Sequence, residues 1–444
     1  MKLLDEEIFI LPYEKLPSKK FFYAPKKGFV QLIELQDASI IEKGIISSSK
    51  DLRKYRNIDK LMEELQVKPI KDLDVMKKGI PILNIDFSNG CNMKCIYCYA
   101  NRGEGNVKYQ KKENIKEIVS IYFSNLIEKL EFNGERICSI VFGNDAEPTY
   151  SPDLIMYSVK IIKKKAQEYN IKPIFSMPTN GAFGSSMRNF IIDNFNSVSF
   201  SFEGLKMIQN KHRPFIDGSP SYDCVYKNAK VLYKSGMKIG FNIVVTTINL
   251  EYLKETVDYF HEHFKGTSIS FSPVNLTGRA LKDHSDLILD YSLFENKLLE
   301  AIAYAKKTSI KIRDKNIQNY HIPRRHYCSS TAKPNWNVSL NGEIFACMES
   351  KVETMKIGEI DFKTRKLKLE AKNVKCLQDY TVDEMVKCKE CFAKYLCAGG
   401  CKVRNDMKEN NCDHIRHRCL YLISNAYEEE QWIKRGQALF KNLI

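Results

Sequence analysis

The chain has 444 residues, too many for one ordinary hydrophobic core, since single cores stop growing at about 250–300 residues. Hydrophobic residues make up 43% and charged residues 28%, which excludes a disordered or fibrous chain. The formal charge of +15 would suit nucleic acid or an acidic peptide, but the lysines fall in scattered runs such as Lys163-Lys164-Lys165 and Lys306-Lys307. No base-reading motif accompanies them, so no nucleic-acid partner is expected. Acids at Asp5, Glu6 and Glu7 interrupt the apolar run a signal peptide needs, and no later run approaches about 18 apolar residues. The expectation is a cytoplasmic chain with no membrane partner.

Residues 1–79 are predicted to form a small α+β module. Phe21-Phe22-Tyr23 and Phe29 to Ile33 flank Pro25 and Gly28 as a hairpin, and a charged helical stretch follows from about Asp51 to Gln66. Over residues 80–285 short apolar strands alternate with longer amphipathic helices. The strands are Ile82 to Phe87, Ile137 to Phe142, Pro173 to Met177, Ser197 to Phe202, Lys238 to Thr246 and Ser268 to Ser272. The helices are Ile115 to Leu130, Leu154 to Tyr169, Tyr222 to Ser235 and Leu253 to Phe264. Such alternation means βαβ units, a parallel sheet and an α/β fold, a partial (β/α)6 TIM-like barrel whose chemistry should sit at the strand C-termini. Residues 286–325 form a helical bridge, with a helix from about Tyr291 to Lys307, and residues 326–444 a cysteine-rich domain closed by a helix from Leu420 to Phe440.

There are fourteen cysteines, and without an export signal they argue for metal ligation or catalysis rather than disulfides. Cys91, Cys95 and Cys98 follow the first barrel strand in a loop opened by Asn89-Gly90. Three thiolates on so short a loop can each hold one iron of a [4Fe–4S] cube and leave the fourth iron open. Structural zinc would need a fourth ligand nearby, and none is at hand. This segment resembles the signature of the radical S-adenosylmethionine (SAM) superfamily, including Tyr97 before the last cysteine.

The resemblance implies that the open iron chelates SAM, that Tyr97 lies beside its adenine, and that reduction cleaves SAM to a 5′-deoxyadenosyl radical. Asp145-Ala146-Glu147-Pro148 stands where the family has Gly-Gly-Glu-Pro, so Glu147 would meet the SAM amino group, although both glycines are replaced. Ser201-Phe202-Glu203-Gly204 resembles Ser-x-Asp-Gly. Ser201 and Arg213 would then contact the ribose or carboxylate of SAM, the planar guanidinium suiting a carboxylate. Thr179-Asn180-Gly181 resembles a family loop near the cofactor and equally reads as a plain turn.

Farther on, Cys328 is followed after thirteen residues by Gly342 and after four more by Cys347. Then come Cys388-x2-Cys391-x5-Cys397-x3-Cys401 and Cys419. A zinc ribbon would explain the C-x2-C pair but not the Gly342-Cys347 spacing. The order resembles the SPASM domain, which carries auxiliary [4Fe–4S] clusters, giving three clusters in all. By resemblance, Cys388, Cys391, Cys397 and Cys419 hold one auxiliary cluster, and Cys328, Cys347 and Cys401 the other. The segment before Cys328 has no cysteine, so the missing ligand is left to substrate, His321, His326, Cys376 or Cys412. Cys138 and Cys224 read as core residues.

SPASM-bearing relatives act on peptides and protein side chains, with electrons from a partner such as flavodoxin or ferredoxin. Sulfatase maturases place an aspartate base just after the cysteine equivalent to Cys347. Met348 stands there, and the catalytic residue is unassigned. The N-terminal module loosely resembles leader-binding regions, where a peptide adds as a strand, and equally a cap over the barrel. The reading is a maturase that cross-links or otherwise modifies a ribosomally made precursor peptide. The alternatives are sulfatase-type or small-molecule chemistry, or an iron–sulfur scaffold or electron carrier without catalysis.

Overall fold

The computed structural model describes residues 2–3, 6–42, 56–68, 70–74, 77, 79–129, 136–143, 146–274, 277–313, 322–403 and 412–441. Asp145, His321 and the start of the helix expected from Asp51 lie outside the described residues. The chain divides into two compact units, one of residues 79–314 and 333–378, the other of residues 1–78, 315–332 and 379–444.

The first unit is built on a single sheet. Its parallel strands are β1 (Leu83–Ile85), β2 (Ile137–Val141), β3 (Lys172–Thr179), β4 (Ser197–Ser201), β5 (Lys238–Val245), β6 (Ser268–Pro273) and the short β7 (Lys311–Ile312). They lie side by side in chain order, and helices such as Lys112–Lys129, Pro152–Glu168, Tyr222–Lys234 and Leu253–His263 return the chain between them. This is the α/β partial barrel that the alternation predicts. β1 is buried along its whole length, whereas β2, β4 and β5 alternate buried with half-buried or exposed positions. The aromatic filling is dense: Phe241 packs 4.5 Å from Phe260 and 4.8 Å from Phe264, ring centroid to centroid.

Four strands of this sheet come from the cysteine-rich region: β8 (Trp336–Val338), β9 (Glu343–Phe345), β10 (Lys356–Asp361) and β11 (Lys366–Leu369). β8 runs parallel to β1, and β9 to β11 continue as antiparallel hairpins. The polar ladder beneath this junction is buried: Asn84 Nδ2 donates to Gly143 O at 2.8 Å, and Asn337 Nδ2 to Phe345 O at 2.8 Å. Gly342, at φ +91°, turns the hairpin where a Cβ would meet Ile360 O at 2.3 Å.

In the other unit the predicted hairpin forms as Lys19–Ala24 against Phe29–Glu34, and a third antiparallel strand, Phe9–Pro12, joins it. Alternation sends successive side chains to opposite faces. Phe22, Ala24 and Phe29 pack with Ala38, Ile58 and Leu65 of the helices Leu35–Glu42 and Arg56–Val67. Phe21, Tyr23 and Val30 pack instead with Ala393, Leu396, Cys419 and Ile423. Lys394 pairs with two acids in this unit, its Nζ 3.1 Å from Glu7 and 2.9 Å from Asp383.

Phe241 is only 2% exposed, so Phe241→Ala should cost about 3–5 kcal/mol. The expected reading is a clearly lower urea midpoint with Phe241→Leu falling in between. An unchanged midpoint would remove this cluster from the core.

Candidate active site

The loop after β1 carries Cys91, Cys95 and Cys98, and little of its order is its own. Met93 pairs with Phe215 as an isolated bridge, Lys94 N donates to Pro214 O at 2.9 Å, and Ile96 N to His212 O at 3.0 Å. From beyond β6, Arg279 Nη1 donates to Cys95 O at 2.6 Å and Nη2 to Arg102 O at 2.8 Å. Gly278 beside it has φ +54°, and a Cβ there would meet Cys98 O and Tyr99 O at 2.4 Å. The thiols themselves receive donors: Met93 N to Cys91 Sγ at 3.4 Å, Arg102 N to Cys98 Sγ at 3.3 Å, and Asn180 Nδ2 to Cys91 Sγ at 3.7 Å.

Glu147 enters from the end of β2 and is 5% exposed. Its Oε1 accepts from Thr149 N at 3.1 Å, Thr149 Oγ1 at 2.6 Å and Thr179 Oγ1 at 2.7 Å, and its Oε2 from Asn180 N at 2.7 Å. The Thr179-Asn180-Gly181 turn is thereby bound to the cysteine loop, because Asn180 Nδ2 also donates to Asn92 Oδ1 at 2.7 Å. Oε2 keeps acceptor capacity for one more donor, as an ammonium group would require.

Behind the loop lies a second buried carboxylate, Glu203, which follows β4 and is 1% exposed. Its Oε1 accepts from Arg213 Nε at 2.8 Å and from the Tyr97 hydroxyl. His212 Nδ1 stands 3.8 Å from Oε2, and its Nε2 meets Thr246 Oγ1 at 3.1 Å. Arg213 Nη1 reaches Cys95 Sγ at 3.7 Å, with its guanidinium over the Tyr97 ring. Ser201 is half-buried at the end of β4.

Electrostatics follow from burial. Burial pushes the Cys91 thiol up to about 12, with Glu147 adding to the rise, and raises Cys95 against the pull of Arg213. Burial also raises Glu147, and its donors recover only part of the rise. For Glu203 burial acts the same way but is outweighed by His212 and Arg213, which hold its carboxyl below the usual carboxylate range.

Among the described residues no three His, Cys, Asp or Glu side chains converge where one metal ion could sit. A cubane makes no such demand, since its ligands grip separate irons at its corners. Three thiols on one loop with N–H donors aimed at their sulfurs fit such a cluster. Gly278, Arg279 and Glu203 are additions that spacing could not reveal. Glu203 alone had a signal, as the acid in Ser201-Phe202-Glu203-Gly204. A small cavity at the ends of β1 and β2 is lined by Asp86, Ser88, Gly143, Ala146 and Glu147 among others. Lys351 Nζ meets Asp86 there at 3.1 Å.

With this geometry in view, residues 85–260 match the family model described as the radical SAM superfamily. The chain carries a radical SAM domain over these residues. It is 25% identical over 347 residues to a cysteine-type anaerobic sulfatase-maturating enzyme of Clostridium perfringens, covering 75% of this chain and 91% of that one. It is 23% identical over 471 aligned positions to the radical SAM cyclopropyl synthase TigE of Paramaledivibacter caminithermalis, covering 99% and 89%. A solved structure described as native anSMEcpe with bound AdoMet and Kp18Cys peptide superposes at a TM-score of 0.61, with 18% identity, over 80% of this chain and 99% of that one. A radical SAM domain implies one [4Fe–4S] cluster and SAM.

In the unit containing the N-terminal sheet, Cys388, Cys391, Cys397 and Cys412 lie close enough to perturb one another electrostatically. Burial raises Cys388 and takes Cys397 to about 12. Cys419 stands two helical turns beyond Cys412 on the helix Cys412–Lys441 and is fully buried. Cys328 and Cys401 belong to this unit and Cys347 to the other. His326 is fully buried, and among the described residues neither ring nitrogen has a hydrogen-bond partner. Cys138 is buried in β2, Cys224 half-buried in Tyr222–Lys234, and Cys376 exposed. Among the described residues no helix is long and apolar enough to cross a membrane.

Arg279→Ala removes both carbonyl contacts to the cysteine loop. The enzyme should retain less iron and sulfide after anaerobic reconstitution, measured per folded chain. Wild-type content would make that clamp dispensable.

Proposed function

We propose that this radical SAM enzyme is a maturase acting on a ribosomally made precursor peptide, with Cys91, Cys95 and Cys98 holding the SAM-binding cluster. The observation that carries the chemistry is the convergence on one thiol-bearing loop of groups from the ends of β2, β3 and β4. With SAM and a reduced cluster bound, the site supplies cleavage of SAM to methionine and a 5′-deoxyadenosyl radical, which takes hydrogen from the substrate.

In this reading Glu147 Oε2 accepts from the SAM amino group, while its other donors hold the β2 and β3 loops at fixed separation. Arg213 presents its remaining N–H groups to the SAM carboxylate, Ser201 contacts the ribose or carboxylate, and the Tyr97 ring flanks the adenine. The C-terminal cysteines hold two auxiliary clusters, and flavodoxin or ferredoxin delivers the electron. The pattern assigns Cys419 beside Cys388, Cys391 and Cys397. Cys328, Cys401 and Cys347 are assigned to the other cluster by sequence alone, with His326 among the candidates for its further ligand.

A peptide substrate draws support from the peptide in the neighbour's description and from the protein-modifying name of the clostridial relative. The N-terminal sheet adds an edge strand, Phe29–Glu34, to which an extended leader could pair. The 25% identity to the sulfatase-maturating enzyme favours a second reading, maturation of a sulfatase side chain. Met348 in place of the aspartate base weighs against it.

Reconstituted and reduced, the enzyme should release 5′-deoxyadenosine from SAM, and Cys95→Ala should abolish release while iron remains elsewhere. Release by the variant would overturn the ligand assignment. Co-expression with a short peptide encoded beside the gene should shift that peptide's mass. An unchanged peptide, together with conversion of a sulfatase-derived peptide to formylglycine, would select the second reading. Cys419→Ala should lose auxiliary iron that Cys412→Ala keeps; the reverse result would move the ligand to Cys412.

A further inference from the structure

Arg213 does more in this structure than wait for a carboxylate. Its Nε is fastened to Glu203 at 2.8 Å, and its backbone carbonyl accepts from Ser221 Oγ at 2.6 Å. Ser221 Oγ in turn accepts from Gln209 Nε2 at 2.9 Å, and Gln209 Oε1 accepts from Glu203 N at 3.0 Å. The ring of contacts closes on itself. Gln209 and Ser221 are fully buried, so no water competes for these bonds. A guanidinium is a rigid fork, so fixing Nε fixes the direction of Nη1. That direction ends 3.7 Å from Cys95 Sγ.

We propose that Glu203 is a positioning residue that holds the Arg213 guanidinium against Cys95 Sγ, and that this N–H···S contact raises the reduction potential of the cluster. The proposal rests on the reading of Cys91, Cys95 and Cys98 as cluster ligands. Reduction adds one negative charge to the cluster, and a cation donating to its sulfur stabilises the reduced form more than the oxidised form. Hydrogen bonds to the sulfurs and local charge are among the levers that set such potentials. Burial strengthens the effect, because little solvent screens the pair. Glu203 is a counter-charge that partly opposes Arg213, so a test must vary its reach without removing its charge.

Glu203→Asp does so: it keeps the carboxylate but shortens the arm by one methylene. Arg213→Lys keeps the cation but loses the fork, and Arg213→Gln removes the charge. The measurement is an EPR-monitored redox titration of the reconstituted full chain without SAM, which separates this role from SAM binding. The signal followed is the one lost in the Cys91→Ala/Cys95→Ala/Cys98→Ala variant. Glu203→Asp and Arg213→Lys should shift that midpoint to lower potential, and Arg213→Gln should shift it farther. Wild-type midpoints in iron-loaded Glu203→Asp and Arg213→Gln would overturn the proposal while leaving the ligand reading intact. If Glu203→Asp fails to load iron, the two Arg213 variants decide the outcome alone. A triple cysteine variant that keeps every signal and all its iron would overturn the ligand reading and the proposal with it.

Discussion

Two carboxylates buried at strand ends, Glu147 and Glu203, organise everything around the cysteine loop. A carboxylate stripped of water is tolerated only if donors replace the lost hydration. Glu147 meets that need by drawing Thr149, Thr179 and Asn180 from two strand ends onto one side chain. Glu203 does so by drawing in Arg213 and Tyr97. Both sets of donors also touch the cysteines or their neighbours, so the cost of burying charge is offset by contacts that hold the loop still.

Glu147 N donates to Gly90 O at 3.1 Å, which ties the end of β2 to the start of the cysteine loop. Gly90 itself has no room for a side chain, since a Cβ would meet the Tyr150 ring at 2.4 Å. Gly278 is equally confined, since a Cβ there would meet Cys98 O and Tyr99 O at 2.4 Å. Loop rigidity is thus distributed over contacts made to the cysteine segment from β2, β3, β4 and the turn after β6.

The cysteine-rich region serves two structural purposes. Residues 336–369 extend the barrel sheet from its first strand, so β1 is flanked on both edges and the loop it carries starts from a buried strand. Ala393, Leu396, Cys419 and Ile423 instead cover one face of the N-terminal sheet. A β-sheet with apolar side chains on both faces must be covered twice, and Phe21 and Phe22, pointing oppositely, require two different partners.

Period and spacing carried the barrel. Strands such as Lys238–Val245 alternate buried and half-buried positions, and helices such as Leu253–His263 repeat apolar residues at helical spacing, signals that are local in the chain. The C-x3-C-x2-C triplet was equally legible, because three ligands on one loop are set by covalent spacing. The strands β8 to β11 were not, being short, mixed in polarity and paired with distant partners. Nor were the clamp of Arg279 on Cys95, 184 residues apart, or the bond of Tyr97 to Glu203, 106 apart. The sequence by itself determined which three cysteines share one loop and which strands would bury. Which charges stand behind the thiols was decided only when the parallel sheet brought its strand ends together, since no local pattern encodes a partner that folding alone makes a neighbour.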